Sequence, residues 1–352
     1  MATTPTPTLT PEPVGIRSVT KLQWKMLGAS WIGYFLDGFD FVIITLVLSD
    51  VSTQFHLNLV QAASLVSAAF VPRWLGGLLL GAIGDRWGRK PAMILSILCY
   101  SLGTLLCGLS WDYWSLFAFR ALVGLGMAGE YGAGSTYVME SWPKRMRNAA
   151  TGIWLSSYPI GTMLTALLFR LVVPTWGWRW MFIIGIVPVV AALVIRRTMP
   201  EATEWTLRVG AAKVITTVEL LFSPKRRVVN IVTCLVILAC LVLIFSNSSG
   251  AFTLPLGLVA AAGFVSFIVQ LVGKLWPMMI ALVFTIFFLY ISNYPIASLL
   301  PTYLKGVGYD PGQIATAVTW SALGWVVGSI TWGFIADTRL GTRGTYVIAM
   351  IL

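Results

Sequence analysis

Five ionisable side chains, Asp37, Asp40, Arg73, Arg120 and Glu130, stand inside long apolar runs. At bilayer depth each costs about 2.5 to 3.5 kcal/mol on insertion scales, so a polar cavity or pathway with mutual pairing is the default reading. Its rival is a set of fixed salt bridges between helices with no further role. Asp37 and Asp40 are three residues apart and share a helix face. Two carboxylates do not readily ionise side by side in a low-dielectric site, so one of them is a candidate proton carrier, as is Glu130. Three acids against two arginines leave one acid without a fixed cation. Arg73 and Arg120 are the candidate anchors for an anionic ligand, because a guanidinium can grip a carboxylate bidentately. Counting at ~1.5 Å per residue from the outer helix ends puts Asp40 and Arg120 at about 10 to 12 Å, Asp37 at about 16 Å and Arg73 near 21 Å, with Glu130 deeper. At that shared depth Asp40 and Arg120 could face each other. Tyr34, one turn before Asp37, and Tyr158, in Ser156-Ser157-Tyr158-Pro159-x-Gly161, are the aromatic residues best placed to line the same cavity. Pro159 and Gly161 should weaken their helix locally.

The elements that must hold these groups are membrane helices. Of 352 residues, 57% are hydrophobic and 11% charged, and the mean hydropathy is +0.83. A soluble chain carries about 25% charge, so a soluble enzyme and a secreted disulfide scaffold are excluded. Each helical crossing needs about 20 apolar residues. Ten such runs are read at 26–48, 59–83, 91–110, 113–139, 149–173, 178–196, 228–246, 251–272, 275–300 and 312–336. An eleventh starts near Thr345 and stops at Leu352, so the chain is expected to be cut in mid-helix. Nineteen Lys and Arg fall on one side of these runs and three, Arg170, Arg179 and Lys305, on the other, which puts the N-terminus in the cytoplasm. The same asymmetry accounts for the net charge of +11 without nucleic acid. The predicted organisation is a disordered tail at 1–25, a six-helix bundle at 26–198, a cytoplasmic linker at 199–227, an extra helix pair at 228–273 and an incomplete second bundle at 274–352. The four cysteines lie in apolar runs, with no metal spacing and no expected disulfide.

A motif recurs in two loops. Gly77-x3-Gly81-x2-Gly84-Asp85-Arg86-x-Gly88-Arg89-Lys90 follows the second run, and Gly328-x4-Gly333-x3-Asp337-x-Arg339-x-Gly341-x-Arg343 follows the tenth. Glycines four apart allow two helices to approach closely, Asp85 is placed to cap the next helix, and the basic residues are expected at the lipid headgroups. One copy would pass for a tight positively charged turn, but two in matching places imply a duplicated helical bundle.

This pattern resembles the signature loop of the major facilitator superfamily, and Arg120-x3-Gly124-x-Gly126 is similar to that superfamily's second motif. Within it, LDGFDF at 36–41, QAASLVSAAFVPRWLGG at 61–77, GMAGEYGAGSTYVMESWPKRMRN at 126–148, VVPTWGWRWMFIIGI at 172–186 and LLPTYLK at 299–305 resemble the bacterial sialic acid (N-acetylneuraminate) proton symporters. The resemblance implies an all-α polytopic membrane protein of the superfamily fold, with an extra helix pair between two halves and no cofactor. It implies proton-coupled import of a carboxylate sugar by alternating access at the bacterial inner membrane, as a monomer. Asp37, Asp40 and Glu130 would couple protons, Arg73, Arg120, Tyr34 and Tyr158 would bind substrate, and Gly77, Gly81, Asp85, Arg86, Gly88 and Arg89 would form the gating motif. A simpler monocarboxylate such as lactate is the alternative cargo, and a ligand sensor that moves nothing is the alternative class. Two further patterns carry no chemistry: Gly124-x-Gly126-x-x-Gly129 lies within a membrane helix, where it reads as packing rather than nucleotide binding, and His56 is alone in an outer loop.

Overall fold

The computed structural model describes residue 16 and residues 19–202, 204–207, 216–246, 252–338 and 340–351. Most of the predicted tail, linker residues 208–215, the loop at 247–251 and Arg339 lie outside them. Every described element is helical. In order these are α1 (Lys21–Gln54), α2 (Leu59–Ser67), α3 (Arg73–Trp87), α4 (Arg89–Gly108), α5 (Tyr113–Ser141), α6 (Arg147–Leu155), α7 (Ser157–Trp176), α8 (Arg179–Ile184) and α9 (Val187–Thr198). There follow α10 (Thr217–Leu221), α11 (Arg227–Ser246), α12 (Thr253–Val272), α13 (Trp276–Gly306), α14 (Pro311–Ala336) and α15 (Gly341–Ile351). Among the described residues, seven helical segments are long and apolar enough to cross a membrane, several of the shorter helices running together to make one segment.

Polar residues set the helix starts. Thr20 and Gln23 form a capping box for α1, which therefore begins five residues before the predicted run and takes in Lys21 and Lys25. Asp112 with Ser115 does the same for α5, and Asp310 with Gln313 for α14, where Pro311 fits the first turn because it has no N–H to leave unpaired. Gln23 Nε2 then donates to the Ser141 carbonyl at 2.9 Å and Trp142 Nε1 to the Gln23 carbonyl at 3.3 Å, which ties the start of α1 to the end of α5.

The main core lies between α1, α4, α5 and α7 and includes Ile43, Ile44, Val47, Leu65, Leu116, Val123, Met127, Phe169 and Phe182. Glycines set its spacing: Gly124 abuts the Ala69 backbone, Gly76 the Leu125 backbone, Gly38 the Tyr158 carbonyl and Gly161 the Phe35 carbonyl. A side chain at any of these would drive two helices apart. The pair α11/α12 leans on α3 through Trp74, Leu78, Phe264 and Phe267. It is locked by Asn230 and Gln270, whose amides exchange hydrogen bonds of 2.8 and 3.2 Å. Its other faces are exposed and apolar, as suits contact with lipid. α14 lies along both α6 and α7, and Gly152 and Gly333 let α6 and α14 touch backbone to backbone.

Candidate functional site

The five ionisable groups Asp37, Asp40, Arg73, Arg120 and Glu130 come from the first bundle, and α1 is the most enclosed of the seven membrane-length segments. Asp37 is fully enclosed and forms an ion pair with Arg73 at 3.6 Å, while Arg73 is 25% exposed. Arg73 reaches this position because the second predicted run is not one helix. It breaks through a 3-10 turn at Ala68–Phe70 and Pro72, and Arg73 opens the new segment α3. Pro72 has no N–H to continue the helix, which explains the break. The guanidinium also lies over Phe70, 5.8 Å from its ring centroid.

Asp40, one turn further along α1, is buried and accepts a hydrogen bond from Thr104 Oγ1 at 3.2 Å. Arg120 lies over the ring of Phe41, the next residue along α1, at 5.6 Å, and within electrostatic reach of Asp40. Thr104 is a member that depth counting does not nominate, since a hydroxyl in an apolar run has no sequence signal. Glu130 is fully buried within electrostatic reach of Asp37. Three interruptions surround this cluster: the one before Arg73, one at Ser156 between α6 and α7, and one at Gly185 between α8 and α9. The Ser156 break precedes Pro159 by three residues, and Gly185 lies against the Asp40 carboxylate. Broken helices beside buried charges are the usual construction of a membrane-embedded site, because irregular backbone there is stable only where protein or water covers it.

Tyr34 is buried and stacked on Trp154 at 4.3 Å between centroids. Trp154 Nε1 donates to the Ser30 carbonyl at 3.2 Å, so this pair fixes α1 to α6. Tyr158 lies 5.3 Å from Tyr34 and 5.4 Å from Trp325 on α14, which makes it a contact between the first bundle and the second. Tyr131, on the turn after Met127, packs 5.6 Å from Tyr34. Tyr131, Trp154 and Trp325 escape sequence reasoning, because nothing in their local sequence separates them from aromatic residues that face lipid.

The basic loop after α3 corrects several expectations. Asp85 does not cap α4. The N-cap position is Gly88, at φ +112°, and the α4 amides of Arg89 and Lys90 donate to the Glu201 carboxylate at 2.9 and 3.2 Å. Asp85 instead accepts from Arg89 at 2.7 Å, and Arg89 also grips Glu140 at 3.1 and 3.2 Å. Arg89 is therefore nearly enclosed in an acidic clasp: the carboxylates of Asp85 and Glu140 hold its guanidinium and that of Glu201 its amide. Arg86 is exposed and pairs with Glu219 at 3.3 Å. No described atom approaches a side-chain position at Gly77 or Gly81; the close helix contact falls on Gly76. A linker residue touches the loop, where Trp205 Nε1 donates to the Asp85 carbonyl at 3.1 Å, and the neighbouring Glu204 pairs with Arg147 at the start of α6.

The second copy of the motif behaves differently. Asp337 accepts from the Ala149 amide at 2.7 Å and from Asn148 Nδ2 at 2.8 Å, so it caps α6 in the other bundle. At the opposite end of the molecule Lys305 reaches Asp50 at 2.8 Å, also between bundles. An open cleft of about 460 Å³ near Arg170, Asp310 and Trp320 lies on that side, away from the buried charges.

Residues 30–284 match the profile of the Major Facilitator Superfamily. The chain is 32% identical over 335 residues to the sialic acid transporter NanX of Escherichia coli strain K12, covering 95% of this chain and 70% of that protein. It is 32% identical over 182 residues to the gentisate transporter of Corynebacterium glutamicum, covering 50% of this chain but only 41% of that one. The proton:xylose symporter XylE, solved with 6-bromo-6-deoxy-D-glucose, superposes with a TM-score of 0.60 over 91% of this chain and 69% of its own at 16% identity, which is a likeness of fold alone. These are transporters and not enzymes.

Proposed function

We propose that this chain, which belongs to the major facilitator superfamily, serves proton-coupled import of a carboxylate, sialic acid foremost, across the bacterial inner membrane. The N-terminus and the basic loops face the cytoplasm in this reading. The observation that carries it is the ion pair between fully enclosed Asp37 and partly exposed Arg73. Such a pair can exchange partners. A substrate carboxylate that reaches the exposed side of Arg73 competes with Asp37 for the guanidinium. Once displaced, Asp37 is a buried carboxylate without its cation, and taking up a proton removes that cost. Substrate and proton then favour each other's binding, as linkage requires of a symporter. Asp40 and Arg120 repeat the acid and arginine combination one turn away, and Glu130 offers a further proton position.

Alternating access would use the contacts between bundles at the two ends: Asp337 with the start of α6 on the cytoplasmic side and Lys305 with Asp50 on the outer side. Sialic acid is favoured over other carboxylates by the 32% identity to a sialic acid transporter along nearly the whole chain. A ring acid of the gentisate type is the second reading, favoured by Phe70 beside Arg73 and by the aromatic cluster about Tyr34, one turn from Asp37. The test is uptake of labelled N-acetylneuraminate by the full-length protein in a transporter-deleted bacterium, with and without a protonophore. Accumulation that collapses with the proton gradient supports the proposal; absence of uptake by membrane-inserted protein overturns it for this substrate, and gentisate is then assayed in the same cells.

A further inference from the structure

Two rings of the cluster built on Tyr34 and Tyr158 do not sit where membrane aromatics usually sit. Tyr131 lies ten residues before the end of α5 and Trp325 eleven before the end of α14, so each is roughly 15 Å from its helix terminus. Headgroup belts are found at helix ends, so that role does not explain them. Nor are they core: Tyr131 is 48% exposed and Trp325 51%. They do not face outward singly, because Tyr158 touches Trp325 across the line between bundles and Tyr34 touches both Tyr131 and Tyr158. Arg73, and Tyr290 on α13, lie within electrostatic reach of Tyr131. Tyr34 stands one turn before Asp37, the partner of Arg73, so the three rings, on three helices from both bundles, gather through Tyr34 and Tyr158 beside the helix that carries that ion pair.

We propose that Tyr131, Tyr158 and Trp325 form a platform that reads the apolar face of a ring attached to the carboxylate held by Arg73. The cargo class is then a cyclic carboxylate, and short acyclic acids such as lactate are excluded. This rests on the carboxylate reading above. The electron-rich faces of tyrosine and tryptophan attract C–H edges and stack on flat groups, and they do so best out of water. A pyranose acid presents C–H edges and an aryl acid presents a flat face, so either meets the platform. An acyclic acid satisfies Arg73 but leaves the rings wet, and gains nothing from them.

The experiment is calorimetric titration of the purified full-length protein with N-acetylneuraminate, gentisate and lactate. At least one ring acid is expected to bind tenfold or more tighter than lactate. Tyr131→Ala and Trp325→Ala are each expected to weaken that ring acid about tenfold while leaving lactate unchanged. Tyr131→Phe and Trp325→Phe, which keep a ring, should retain most of the affinity and guard against misfolding as the cause. Lactate binding as tight as both ring acids, or alanine variants that keep the ring-to-lactate ratio, would overturn the platform and leave the carboxylate reading standing. Failure of all three acids to bind, or an Arg73→Ala variant that binds them as the wild type does, would overturn the carboxylate reading and the platform with it.

Discussion

Removing Arg73 is expected to damage the protein more than removing the acid it holds. The Asp37 side chain is fully enclosed and Arg73 lies 3.6 Å from it. Deleting one partner of a fully buried pair costs about 3 to 5 kcal/mol, because a desolvated charge is left without compensation. Arg73 is 25% exposed, so water already screens part of the attraction, and about 2 to 3 kcal/mol is the expected loss for Arg73→Ala. Asp37→Asn leaves only a guanidinium that water can reach, for which about 1 kcal/mol is expected. The double variant has no buried charge to strand and should recover most of the loss, a coupling of roughly 2 kcal/mol. Unfolding of the four proteins in one detergent, followed by size-exclusion fluorescence over a temperature or denaturant series, measures each term. An Arg73→Ala protein as stable as the wild type, or a double variant no better than Arg73→Ala, would refute the claim that Arg73 neutralises Asp37. In uptake assays Asp37→Asn should still bind substrate yet lose accumulation against a gradient.

Gly88→Ala should lower thermal stability by about 1 to 3 kcal/mol, since φ +112° is strained for any side chain and the new methyl would also meet the Glu201 carboxylate. Glu201→Ala should speed hydrogen exchange in the first turn of α4, where Arg89 and Lys90 lose their acceptor; unchanged exchange there would remove Glu201 as the cap. Asp337→Ala should lengthen and broaden the distance between spin labels at positions 145 and 342, because α6 loses its cap from the other bundle. The carboxyl of Asp112 is held below the ordinary aspartate value by its hydrogen bonds from Ser115. A depressed folded value stabilises above the unfolded value and is lost as pH falls through the folded one. Fraying of the first turn of α5, read by exchange or nuclear resonance, should therefore appear only below the ordinary aspartate range, and an Asp112→Asn protein should not show that pH dependence.

Much of this site is legible in the sequence because burying charge in lipid is so costly. Asp37, Asp40, Arg73, Arg120 and Glu130 announce themselves by type and depth, and the apolar runs around them fall on helices. Pairing is less legible. Depth counting separates Asp37 from Arg73 by about 5 Å along the bilayer normal, a gap that one arginine side chain spans. The single run expected at 59–83 misses the break at Pro72, and it is this break that lets Arg73 open a segment facing α1. Thr104, Tyr131, Trp154 and Trp325 carry no such signal, because a hydroxyl or a ring in an apolar run is cheap whether it faces cavity, neighbour or lipid. What distinguishes them is tertiary contact alone.

The repeated loop shows the same limit in its plainest form. Asp85 and Asp337 stand at matching places in two copies of one motif, and the letters assign them one role. Glu201, brought in from beyond the sixth run, occupies the start of α4 and leaves Asp85 to Arg89, a residue four positions away and already within reach. No acid comparable to Glu201 is bonded to the start of α15 among the described residues, and Asp337 turns to α6 of the opposite bundle, where two donors meet it. A duplicated sequence thus supplies equivalent carboxylates, and the competition among nearby acids for helix amides and arginines decides which one stays within its bundle and which one joins the two. Asp337 is the copy whose loss should loosen the bundles. Loss of Asp85 should be felt first at Arg89 and Glu140, inside the first bundle.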